Sequence, residues 1–209
     1  MSLIHDCARY NNLSMLKRVL QKKGKINSVD EDGYTAFFLA CYYGYIKIVK
    51  YLIKQGCDIN YSRNRLRPIH GAANMGHTNV LRILVNNGVN VDSKECGDDR
   101  TALHWAVQEG RSKAAEFLIK NGADINKLNG SGETPLRIAI GEGDLNFVKM
   151  LCKYKVNINK YPQKAPALVF ACVYNRLEIV QYLFKKGAKI NLKKKMEKHQ
   201  YFMRHGTGM

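Results

Sequence analysis

The chain has 209 residues, 45% of them apolar and 24% charged, which suits one domain or two very small ones and excludes disorder as the main state. Thirty-four Lys and Arg against seventeen Asp and Glu leave a net charge of +17, favouring acidic partners: a carboxylate-rich protein surface, an anionic membrane or nucleic acid. The longest apolar stretches, such as Ala165–Tyr174, are about half the roughly 20 residues that a membrane-crossing helix needs, so no membrane insertion is expected.

From the N-terminus, Met1–Tyr10 carries His5, Asp6 and Arg9 without an apolar stretch and does not read as a signal peptide. The chain then repeats itself. Segments of the form Gly-x-x-x-Asn close at residues 27, 60, 92, 126, 159 and 191, the first one residue short, the third ending in Asp92 and the fifth lacking its glycine. Turn residues fall at Asn11, Gly44, Gly76, Gly110, Gly143 and Asn175. Both markers are spaced 33, 32, 34, 33 and 32 residues apart, and two markers sharing one period predict a repeat array. The units are expected at about 1–27, 28–60, 61–92, 93–126, 127–159 and 160–191, followed by a basic tail over 192–209. The charge excess is spread along the chain, with +6 from 1–100, +7 from 101–191 and +4 from the tail.

Each unit reads as two helices. In the fourth, Thr101-Ala-Leu-His-Trp-Ala-Val opens a short helix with Thr101 at its cap. Gly110 interrupts it with a turn that suits Gly or Asn. Ala114, Ala115, Phe117, Leu118 and Ile119 form the apolar face of a second helix, which stops at Asn121-Gly122. Pro68 and Pro135 stand at first helical turns, where no N–H is needed. Polar, turn-forming linkers join the units as hairpins would.

These residues resemble the ankyrin repeat family. The helix starts Gly33-Tyr-Thr-Ala-Phe-Phe, Arg67-Pro-Ile-His, Thr101-Ala-Leu-His and Gly132-Glu-Thr-Pro-Leu-Arg are similar to its Gly-x-Thr-Pro-Leu-His pattern. The endings Gly56-Cys-Asp-Ile-Asn, Gly122-Ala-Asp-Ile-Asn and Gly187-Ala-Lys-Ile-Asn are similar to its Gly-Ala-Asp-Val-Asn. The resemblance covers residues 3 to 191 and implies an all-α solenoid of helix-turn-helix units joined by β-hairpin-like loops. The departures are a first unit without its hairpin, a sixth unit without Thr or His, and an extra linker residue near Glu95–Asp99.

A solenoid needs a polar outer face at each end. The last unit instead presents residues such as Val173, Tyr174, Leu177 and Phe184. Leu192, Met196 and Met203, with Phe202 beside the last, fall at helical spacing, so Leu192–Met203 is expected to pack as a capping helix.

The cysteines form no Cys-x-x-Cys pair. Cys7, Cys41, Cys57, Cys152 and Cys172 are expected as buried free thiols in a reducing compartment, and Cys96 as exposed. His5, His70 and His104 begin inner helices, where the family resemblance implies hydrogen bonds between adjacent hairpins. No nucleophile–base arrangement, metal spacing or phosphate loop accompanies them. No catalytic residue, metal or cofactor is therefore expected.

The resemblance implies a concave face lined by hairpin tips and by the two residues before each turn. On that face, repeats one to three carry Arg9, Tyr10, Tyr34, Tyr42, Tyr43, Tyr61, Arg63, Arg65, Asn74 and Met75, and the fourth adds Trp105, Gln108 and Glu109. Rigid aromatics and Arg dominate binding energy once desolvated. Half-burial between repeats is the competing reading for each tyrosine, and ordinary packing is the preferred one for Trp105. Glu95, Asp98, Asp99, Glu109, Glu133 and Glu142 form an acidic belt in the middle. The expected function is a non-enzymatic protein-binding scaffold, adaptor or inhibitor, monomeric, in the cytoplasm or nucleus. Its partner would be a protein segment with an apolar anchor and acidic flanks. The alternative is a basic array that binds nucleic acid or an oligonucleotide.

Overall fold

The computed structural model describes residues 3–22, 24–61, 66–160 and 165–190. Among these, twelve α-helices alternate between a shorter inner and a nine-residue outer type. The inner helices are α1 (Leu3–Arg9), α3 (Ala36–Tyr42), α5 (Pro68–Asn74), α7 (Ala102–Gln108), α9 (Pro135–Glu142) and α11 (Ala167–Val173). The outer helices are α2 (Leu13–Gln21), α4 (Ile46–Lys54), α6 (Thr78–Asn86), α8 (Ser112–Lys120), α10 (Leu145–Lys153) and α12 (Leu177–Lys185).

Local chemistry sets the helix ends. Thr35 and Thr134 accept from the backbone N–H three residues on, at 3.1 and 3.3 Å, capping α3 and α9. Pro68 and Pro135 stand at the first positions of α5 and α9. All six turn markers, from Asn11 to Asn175, have positive φ between 53° and 79°, so each inner helix ends in the left-handed turn its sequence predicts. Lys155 takes the place of the lost fifth-unit glycine, also left-handed at φ 59°.

Each inner helix packs on the next inner helix and on its own outer helix. Buried alanines such as Ala8, Ala40, Ala73, Ala106, Ala139 and Ala171 let the inner helices approach closely, while Leu52, Leu84, Leu118, Leu151 and Leu183 lie fully buried on successive outer helices. The core therefore runs the length of the stack, because every unit covers its neighbour.

The linkers form short hairpins rather than strands. Asp30, Glu95 and Asn129 donate their N–H to the carbonyls of Tyr34, Arg100 and Glu133 at 2.9–3.0 Å. The extra residue of the Glu95 loop is absorbed by a left-handed Asp99, φ 53°. The recurring Asn also acquires a physical reason. The side-chain oxygens of Asn27, Asp92, Asn126 and Asn159 accept the backbone N–H of Asp58, Asp124, Asn157 and Lys189 in the following repeat, at 2.7–3.0 Å.

One cysteine expectation fails in part. Cys7, Cys41 and Cys57 are buried, but Cys152 is half-buried and Cys172 exposed. Cys172 has the small-residue position of an inner helix, yet no described repeat follows α11 and α12 to cover it. The same end exposes Val173, Tyr174, Leu177, Phe184 and Ile190. The capping helix expected at Leu192–Met203 lies outside the described residues.

Candidate partner-binding surface

The inner helices end on one face, and their last residues are held by a clamp that recurs along the stack. The residue after each turn reaches back to the preceding repeat. Tyr45 donates its hydroxyl to the carbonyl of Arg9 (3.2 Å), Arg111 Nε donates to Asn74 (3.0 Å) and Arg176 Nη2 donates to Gly141 (2.7 Å). His77 takes the same position in the third repeat, its ring packed against the turn at Gly44, where a Cβ would stand 2.6 Å from Nδ1. At the fifth repeat the position is Asp144, an acceptor, which instead caps α10 by accepting from Phe147 N–H at 2.9 Å. Orphan carbonyls at helix C-termini are thus satisfied between repeats, fixing the ends of the inner helices.

On that frame the predicted site residues separate into committed and available groups. Arg9 is committed: its guanidinium lies 2.7 Å from Asp30 and 3.8 Å from Asp32. Tyr34 stacks on Phe38 at 4.4 Å between centroids, Phe38 on Tyr42 at 6.0 Å, Tyr42 meets Tyr43 edge-on at 5.3 Å, and Tyr43 stacks on Tyr45 at 5.8 Å. Gly71 of α5 makes room for this ladder, since a Cβ there would meet Phe38 at 3.1 Å and Tyr42 at 3.4 Å. Tyr34, Tyr42, Tyr61, Asn74 and Met75 are half-buried, so for Tyr34 and Tyr42 packing within the ladder is part of their role. Tyr10 and Tyr43 are exposed, at 78% and 41%. Arg63 and Arg65 lie outside the described residues.

Around the fourth repeat the side chains chiefly serve each other. Asp98 accepts from Arg100 Nε (3.1 Å), Asn129 Nδ2 (2.8 Å) and Ser131 Oγ (2.7 Å). Burial pushes its pKa up, but the hydrogen bonds from Ser131 and Arg100 outweigh that and hold it below the usual carboxylate value. Arg100 also donates to Gln108 and covers the Trp105 ring at 5.2 Å. Trp105 is half-buried, and its Nε1 is buried with no hydrogen-bond partner among the described residues. Most of the expected acidic belt is therefore engaged: Glu95 is buried, Asp99 pairs with Lys94 at 2.7 Å and Glu133 with Arg137 at 3.2 Å. Glu109 and Glu142 are the exposed members.

The histidines sit where hairpin and helix meet. Nε2–H of His70 donates to the Ser93 carbonyl at 2.8 Å, and that of His104 to Lys127 and Glu133 at 3.1 and 3.2 Å. Their Nδ1 atoms accept from the N–H of Arg67 and Thr101, both at 3.1 Å. His5 makes the first such bond, to the Ser28 carbonyl at 2.9 Å. Burial lowers the pKa of both His70 and His104 to about 4, so the neutral ring is the structural species. Burial likewise pushes the Cys57 thiol up to about 12, leaving it a packing group.

A family model for ankyrin repeats in three copies matches residues 1–63, 62–129 and 121–194. The chain belongs to the ankyrin repeat family. Ankyrin repeats are in general non-catalytic interaction modules. Relatives include an ankyrin repeat protein of fowlpox virus, 36% identical over 55% of this chain and 35% of its own length. The Neurospora crassa ankyrin repeat protein nuc-2 is 30% identical over 73% of this chain and 14% of its own. The chicken nuclear factor NF-kappa-B p105 subunit is 32% identical over 71% of this chain and 16% of its own. The chain thus spans about a third or less of the length of these curated relatives. No helix among the described residues of this ankyrin array is long and apolar enough to cross a membrane.

Proposed function

We propose that this ankyrin array is a non-enzymatic protein-binding scaffold, of the adaptor or inhibitor kind, that holds a segment of a partner protein against the turn ends of its first three repeats. The observation that carries this reading is the exposure of two tyrosine rings, Tyr10 (78%) and Tyr43 (41%), at the ends of α1 and α3. Tyrosine at a surface offers large contact area with little conformational entropy to lose, the character of binding hot spots. Half-buried Met75 follows at the end of α5 and gives an adaptable apolar contact.

The inner helices carry Arg9 and Arg137 against Asp6 and Glu142 and so have no net charge. Apolar and aromatic contact, rather than charge, is what this face offers, and an extended or helical peptide with an apolar anchor fits it. Acidic flanks on that peptide would have to find their cations at the hairpin tips.

The test is affinity capture with wild type and a Tyr10→Ala/Tyr43→Ala variant of equal melting temperature. A partner retained by wild type and lost by the variant supports the reading. Partners retained equally by both would remove it.

A further inference from the structure

The outer helices carry eleven basic residues against two acidic ones, Glu116 and Glu178. The net charge of the outer helices is therefore +9, while that of the inner helices is zero. The segregation is sharper at the level of exposure. Every exposed position of α2, α4, α6, α8 and α10 is Lys, Arg, Asn, Gln or Ser. A helical face that merely solvates a protein mixes both signs, with Glu–Lys pairs one turn apart. Here one such pair occurs, Lys120 with Glu116 at 3.0 Å, and no other of the eleven cations is ion-paired among the described residues. A general enrichment in lysine would not remove carboxylates from one face.

We propose that this outer-helix face binds the phosphate backbone of duplex nucleic acid. Outer helices α4, α6 and α8 contact each other in sequence, and packed helices lie about 8–10 Å apart. Lys47, Lys50 and Lys54, then Arg82, then Lys113 therefore form successive cationic rows on a rigid surface, Lys120 being held by Glu116. Duplex DNA presents one charge per about 1.7 Å of its axis, dense enough to meet such ridges without a fixed register. Asn79, Asn86 and Ser112 between them can donate to phosphate oxygens. The exposed positions of these five helices include no aromatic ring on which an unpaired base could stack and no apolar anchor for a lipid interface. This surface lies on the opposite helices from the proposed peptide site and stands independently of it.

The test is binding of a mixed-sequence duplex of about 24 base pairs to the full chain between roughly 50 and 200 mM salt. Neutralisation of about five phosphates would weaken wild-type binding about 500-fold over that range. Lys47→Glu/Lys50→Glu/Lys54→Glu is expected to lose at least about tenfold at low salt and to show a shallower salt slope. A control with the same change in net charge, Lys25→Glu/Lys160→Glu/Lys189→Glu, alters loop positions instead and is expected to keep most of the affinity. Tyr10→Ala/Tyr43→Ala is expected to bind the duplex like wild type, which separates this proposal from the peptide site. Equal losses in the two charge variants would overturn the proposal, because global charge would then suffice. Tighter binding to phosphatidylserine vesicles, to single strands or to polyglutamate would overturn it as well.

Discussion

Arg176 of the sixth repeat lies against Gly143 of the fifth: a Cβ on that glycine would stand 2.7 Å from the guanidinium carbon. The contact carries the hydrogen bond to Gly141 at 2.7 Å, so a small residue in the turn lets the next repeat clamp the helix end. Gly44 repeats the arrangement, with a Cβ 2.6 Å from His77 Nδ1. Gly143→Ala combines a left-handed φ of 79° with this clash and should cost about 2 kcal/mol. Arg176→Ala loses only the bond and its packing, about 1 kcal/mol. Chemical denaturation should rank the variants in that order.

Lys155 is the converse case. It holds φ 59° where other units have glycine, with its side chain in solvent. Lys155→Gly should raise the unfolding free energy by about 1 kcal/mol, read as a higher denaturant midpoint with unchanged slope. No gain would mean that the left-handed turn at this site carries little strain.

The buried histidines make the array acid-sensitive. His70 and His104 titrate near 6.5 when unfolded but only at about 4 in the fold. Between those values the unfolded chain binds more protons, so the stability is complete above pH 6.5 and is lost as pH falls towards 4. The loss should reach about 2 kcal/mol per histidine by about pH 4.5. Urea midpoints at neutral pH and at about pH 4.5 check this, and His70→Gln/His104→Gln should flatten the dependence over that window.

Asp98 ties the fourth hairpin to the fifth through Asn129 and Ser131 and also holds Arg100, which covers Trp105. Asp98→Ala should cost about 2 kcal/mol, the price of unpaired donors. Because Trp105 is the one tryptophan of the chain, its fluorescence should shift to the red in the variant at native conditions. An unchanged spectrum with an unchanged midpoint would show the hub to be solvent-replaceable.

The period, the helix pairs and the left-handed turns are legible from the residues because they depend on short-range chemistry: a cap such as Thr35, a Pro at a first turn, an Asn or Gly where φ must be positive. The sequence also marks Asn27, Asn126 and Asn159 as fixed points, though not that each accepts an N–H from the following repeat. Which side chains stay exposed and which are taken up by their neighbours depends on how the repeats stack. Arg9 reads as available and is held by Asp30; the acidic belt reads as a surface, yet most of its members are engaged by neighbours such as Lys94, Arg100 and Arg137; Cys172 reads as buried and is covered by no described repeat. The clamp residues Tyr45, Arg111 and Arg176 are a tyrosine and two arginines, so no single-residue motif announced them. Their common property is a donor long enough to reach a carbonyl about one repeat away, and that distance exists only once the helices have stacked.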